Sequence, residues 1–138
     1  MLKITNIKLG LSKVNKEDAV KRAGEMLRDS GYVDEHYIAG MLKREEAVST
    51  YLAHHVAIPH GEAEVKNDVK KTGIVVLQYP EGIDYGNGET VKLIIGIAAK
   101  NDEHLEIIAK LANILDDEEK AEKLVNTESV DYIYRQLK

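Results

Sequence analysis

At 138 residues, with 43% hydrophobic and 31% charged residues, the chain has the length and composition of one soluble globular domain with a real core, read as a single domain over 1–138. Cysteine is absent, which excludes disulfides, thiol nucleophiles and thiolate metal sites, and without Phe or Trp the core must be aliphatic, with some of the seven tyrosines at its edges. A net charge of −5, with lysines dispersed, argues against nucleic acid as a partner. The absence of cysteine fits a cytoplasmic protein, and no apolar block is long enough for a signal peptide or membrane span.

In chain order, Ile4 to Leu9 alternates enough for a first strand. Asn15 is the expected N-cap of a helix with Ala19, Val20, Ala23, Met26 and Leu27 on one face, closed by Ser30-Gly31. Asp34 is expected to cap a second helix with Ile38, Met41 and Leu42 inward and Arg44 in its last turn, where a cation suits the dipole. Val56-Ala57-Ile58 reads as a short buried strand stopped by Pro59. Ile74 to Leu77 and Val91 to Ala99 are nearly continuous apolar runs, as strands covered on both faces should be. Between these two, Pro80-Glu81-Gly82 and Gly86-Asn87-Gly88 read as turns, with Ile83 and Tyr85 in a short edge strand. The link is too short for a helical crossover, so the pairing should be antiparallel. Asn101 or Asp102 should cap a helix burying Leu105, Ile108, Ala109, Leu111, Ala112 and Leu115. A short helix follows Asp116, and a last one capped by Thr127 carries Val130, Ile133, Tyr134 and Leu137. The expected fold is α/β: a three-layer α/β/α sandwich whose mixed sheet has about four or five strands.

His60 stands between stiff Pro59 and permissive Gly61, which lets the chain turn and a ligand approach the backbone. Without a further partner, that placement is equally a strand-end histidine with no task. His104 falls in the first turn of a helix, where unpaired N–H groups welcome anions. Alone it reads as a polar helix end, as Arg44 alone reads as a helix-dipole residue. If the two strands leading to His60 and His104 are neighbours, two imidazoles and the Arg44 guanidinium converge. That set suits a doubly charged phosphoryl group, with a neutral imidazole as nucleophile. The competing reading is a metal held by His54, His55, His60 and His104. It lacks an HExxH pattern, and adjacent His54 and His55 should point to opposite faces of a strand. His36 lies among polar residues and reads as surface. No glycine-rich nucleotide loop and no GxSxG elbow occurs.

Several segments taken together resemble the phosphoenolpyruvate-dependent sugar phosphotransferase IIA components of the mannitol/fructose class. They are Gly31-Tyr32-Val33, Met41 to Glu45, Thr50-Tyr51-Leu52, Ala57-Ile58-Pro59-His60-Gly61, Gln78-Tyr79-Pro80-Glu81-Gly82 and Ile95 to His104. The Gln78 to Gly82 segment looks like the mannitol branch. The resemblance implies that His60, through Nε2, accepts a phosphoryl group from the carrier HPr and passes it to a cysteine of a IIB or IICB component. His104 and Arg44 would support the group. It implies no cofactor or metal, and contact with a membrane only through the IIC permease. A phosphorylation-controlled regulatory module of the nitrogen-regulatory kind is the alternative. The sequence departs from the pattern at Ala53, His54, His55 and Glu62. The carboxylate of Glu62 is expected to point away from the phosphoryl acceptor, because like charges repel.

Overall fold

A computed structural model describes residues 1–101 and 103–138, the side chains of Ala63, Glu64 and Lys66 excepted. Its strands are β1 (Ile7–Lys8), β2 (Tyr51–Ala53), β3 (Val56–Ala57), β4 (Gly73–Gly86) and β5 (Glu89–Ala98). Its helices are α1 (Lys16–Asp29), α2 (His36–Ala47), α3 (Glu103–Leu115), α4 (Glu118–Asn126) and α5 (Val130–Leu137). The sheet order is β1-β4-β5-β3-β2. β1 runs parallel to β4, and β3 parallel to β5. The β4–β5 and β2–β3 pairs are antiparallel. The sheet is therefore mixed and five-stranded, flanked by helices as the pattern predicts.

The apolar runs of β4 and β5 work by alternation. Val75, Leu77, Ile94 and Ala98 pack on one side with Ala19, Val20, Ala23 and Leu27 of α1 and Met41 of α2. Ile74, Val76, Leu93, Ile95 and Ile97 pack on the other with Ile107, Leu111, Leu124 and Ile133 of the last three helices. Successive strand residues point to opposite faces, so a run with no polar member requires a helix layer on both sides.

Local rules hold where one residue's chemistry decides. The Asn15 side chain accepts the Asp18 N–H at 2.8 Å and starts α1. Asn87 and Gly88 both have positive φ and make the two-residue turn between Gly86 and Glu89.

Elsewhere the structure differs from expectation. The first strand shrinks to Ile7–Lys8, because Ile4–Asn6 forms a 3-10 turn and buried Asn6 accepts the Ser30 hydroxyl. Asp34 does not cap α2. Its carboxylate pairs with Lys70 at 2.9 Å, and Glu35 precedes the helix without a side-chain cap. Pro80 to Gly82 form a bulge inside β4: Gln78 faces Leu93 and Ile83 already faces Val91. Pro80 has no N–H for the ladder, so pairing lapses there and resumes without ending the strand. Ser129, not Thr127, caps α5. On α3 the buried stripe is Ile107, Leu111 and Leu115, while Leu105, Ala109 and Ala112 are exposed. The expectation for Asp102 as a cap lies outside the described residues.

His54 and His55 do not alternate along a strand. They form the turn between β2 and β3, with φ of +48° and +68°. L-residues pay about 1 kcal/mol or more for that region. His55 offsets this by donating from Nδ1 to the Thr90 carbonyl at 2.8 Å, whereas the His54 ring has no hydrogen bond among the described residues. His54→Gly should therefore stabilise the fold by about 1 kcal/mol, read as a raised urea midpoint.

Candidate functional site

β3 lies parallel to β5, and the register continues past its end. The Pro59 carbonyl accepts the Ile97 N–H at 3.0 Å, and His60 bridges Ile97. The neighbour relation on which convergence depended is present. His60 is half-buried at the strand's exit, and its Nδ1 lies 2.8 Å from the Ile58 carbonyl. A carbonyl oxygen can only accept, so Nδ1 carries the hydrogen and Nε2 keeps its lone pair. Burial pushes the His60 pKa down from 6.5. The Ile58 carbonyl opposes that, and the charges of Arg44 and His104 add to it.

Both partners are in place. The His60 and His104 ring centroids are 6.4 Å apart, with planes 28° from parallel. His104 sits in the first turn of α3 and Arg44 in the last turn of α2, where its Nη1–H donates to the Val48 carbonyl at 2.6 Å. Tyr37, Arg44, His60, Glu62, Asn101 and His104 all line one open cavity of about 510 Å³. A guanidinium and two imidazoles, one of them in the first turn of a helix, line this one cavity, and such a set favours a dianion.

Glu62 stands at the edge of the same site. It lines this cavity, only 23% exposed, with Oε1 3.9 Å from the Lys43 ammonium. Its N–H donates to the Gly40 carbonyl, which holds this residue against α2 beside the cavity. The lysine partly offsets the carboxylate's charge.

His54 and His55 lie before β3 and His60 beyond its other end, so the four-histidine metal set is not assembled. The two turn histidines line a separate pocket with Lys92, Glu118 and Glu122. Among the described residues no group of three or more His, Cys, Asp or Glu is placed to hold a metal ion. His36 is exposed, 3.1 Å from Asp68.

Tyr37 carries no motif signal and is central to the site. Its hydroxyl accepts the Gly61 N–H at 2.8 Å and donates to the Ile97 carbonyl at 2.9 Å. Burial pushes its pKa up to about 12, so the donor proton stays in place. Gly61 is required here for space and not for a turn: it has no positive φ, and a Cβ would lie 2.5 Å from the Tyr37 ring. Only its place on the inner face of α2, one turn before Met41, hints at Tyr37 in the sequence.

The lowered His60 pKa sets a pH dependence. The unfolded ring protonates near 6.5 and the folded ring only at lower pH. This group's contribution to stability is complete above about 6.5 and is lost as pH falls through that window to the folded pKa. We expect an NMR titration midpoint for His60 below 6.5. The capacity to accept an electrophile on Nε2 should fail at the same pH.

The phosphoenolpyruvate-dependent sugar phosphotransferase system EIIA 2 family model matches residues 1–138. The mannitol-specific phosphotransferase enzyme IIA component of Bacillus subtilis is 48% identical over 124 residues, covering 90% of this chain and 87% of that protein. The mannitol-specific EIICBA component of Escherichia coli is 47% identical over 134 residues, 96% of this chain but 21% of its own length. The NMR structure of a complex of E. coli enzyme IIA and phosphorylated enzyme IIB, both mannitol, contains a chain with TM-score 0.92 and 44% identity. That match covers 99% of this chain and 98% of the other.

Proposed function

From a chain that belongs to the phosphoenolpyruvate-dependent sugar phosphotransferase system EIIA 2 family, we infer a mannitol-type phosphocarrier in which His60 is the phosphoryl acceptor. Residues 1–138 act as one cytoplasmic unit. They take the group from phospho-HPr and give it to a cysteine of a IIB or IICB component. The observation that carries this is the Ile58 carbonyl on His60 Nδ1, which leaves Nε2 as the nucleophile beside His104 and Arg44.

The Nε2 lone pair attacks phosphorus as the donor's P–N bond breaks, and that bond's electron pair stays on the donor imidazole. The His60 ring gains positive charge, which the Ile58 carbonyl stabilises through Nδ1–H. Arg44 and His104 balance the charge of the phosphoryl oxygens. Positioning and charge stabilisation suffice for this chemistry, so no separate base is needed. Attack by the IIB cysteine thiolate reverses the roles: the S–P bond forms, and the N–P pair returns to Nε2.

The test is intact mass after incubation with phosphoenolpyruvate, enzyme I and HPr. One acid-labile phosphoryl group is expected, and none in His60→Ala. A phosphoryl group that persists in His60→Ala overturns the assignment. Transfer onward to a IIB cysteine is expected of the carrier and not of the regulatory alternative.

A further inference from the structure

Glu45 is a buried carboxylate, 6% exposed, one residue beyond Arg44. Its Oε1 accepts the Thr50 N–H at 2.9 Å, and its Oε2 accepts the Thr50 hydroxyl. The Lys16 ammonium, from α1, lies 3.3 Å from Oε1. Lys16 also donates to the Tyr85 carbonyl at 3.2 Å, and its ammonium sits 4.3 Å above the Tyr85 ring. Since the only Thr50 hydroxyl proton goes to Glu45, the Tyr85 hydroxyl, 3.2 Å away, must be the donor to Thr50 Oγ1. Every member of this cluster has a partner, and a buried polar network of that kind fixes geometry.

What the cluster fixes is the segment leaving α2. Val48 offers its carbonyl to the Arg44 guanidinium. The Thr50 carbonyl accepts the Ile58 N–H at 3.0 Å, and the carbonyl of Ile58 accepts His60 Nδ1–H. One anchored segment thus holds the anchor of the guanidinium and, through a single residue, Ile58, the anchor of the imidazole. The Glu45 charge also opposes the lowering of the His60 pKa.

We propose that Glu45, paired with Lys16 and clamping Thr50, is a positioning residue for the phosphoryl site: it sets the His60 tautomer and the seat of Arg44. This rests on His60 as the acceptor. The experiment reads the tautomer in the unphosphorylated full chain, by ¹⁵N shifts of the imidazoles, alongside the kinetics of transfer from phospho-HPr.

In the unmodified protein His60 should be a single Nδ1–H tautomer. In Glu45→Gln the Nε2–H tautomer should appear. The kcat should fall about 10-fold, as for loss of other outer-shell orienting groups, with KM for phospho-HPr unchanged. Thr50→Val, which removes only the hydroxyl, should shift both readouts in the same direction, and Thr50→Ser should restore them. If Glu45→Gln fails to fold, Thr50→Val decides. Folded variants that keep the Nδ1–H tautomer and the original kcat overturn the proposal. A wild-type chain phosphorylated elsewhere than His60 overturns the acceptor assignment instead, and the tautomer measurement does not depend on it.

Discussion

Arg44→Met should slow phosphoryl transfer from phospho-HPr by about 100-fold, by analogy with loss of one preorganised donor from a site where charge develops. Arg44 is half-buried and its guanidinium is held by the Val48 carbonyl, so on the proposed reading it is preorganised for an incoming phosphoryl group. A mobile side chain would lose more entropy on binding. Methionine keeps most of the stem's volume and removes the fork. The lost bond to Val48 should cost only about 1 kcal/mol of stability, too little to unfold the domain. Arg44→Lys should fall between the two, because an ammonium restores a point charge without two parallel donors. Removing this cation should also raise the His60 pKa, since Arg44 is one of the groups lowering it. Rapid-quench transfer with urea unfolding of the same variants gives the answer. A normal rate in folded Arg44→Met would leave the residue as a helix terminator only.

Gly61→Ala should cost stability and transfer together. The added Cβ would stand 2.5 Å and 2.7 Å from two Tyr37 ring atoms and 2.8 Å from a Val65 methyl. Overpacking at such a contact costs about 1–3 kcal/mol. The ring has little room to retreat, because its hydroxyl ties Gly61 to Ile97 across the same junction. Either the ring gives up those bonds or the backbone after His60 lifts from β5, and both disturb the imidazole. Tyr37→Phe keeps the ring and removes only the hydroxyl. Combined with Gly61→Ala it should be clearly less than additive, since both changes break one contact. Simple additivity in a thermal and kinetic double-mutant cycle would mean that the hydroxyl does not hold Gly61.

The departures from the EIIA 2 pattern divide by position. His54 and His55 lie in a turn at the far end of β3 and bear on stability. Glu62 lines the cavity that holds His60, and its carboxylate lies 3.9 Å from the exposed Lys43 ammonium. Gln78, in the segment resembling the mannitol branch, is buried. It accepts the Gly10 N–H and donates to the Val125 and Thr127 carbonyls. Its branch-specific character is thus met first by a structural duty, tying three segments together four positions along β4 from Ile74.

By itself the sequence determined whatever a few neighbouring residues decide: the Asn15 cap, the Asn87-Gly88 turn, the two-sided burial of β4 and β5, and an imidazole fixed after Pro59. Those outcomes depend on backbone angles and side-chain alternation, which are local. Tertiary structure alone decided that His104 comes within 6.4 Å of His60, that Glu62 lines the cavity, that Leu105 turns outward, and that Tyr37 and Glu45 brace the site. Each depends on contacts between segments far apart in the chain, where packing and the need to pair buried polar groups override local preference.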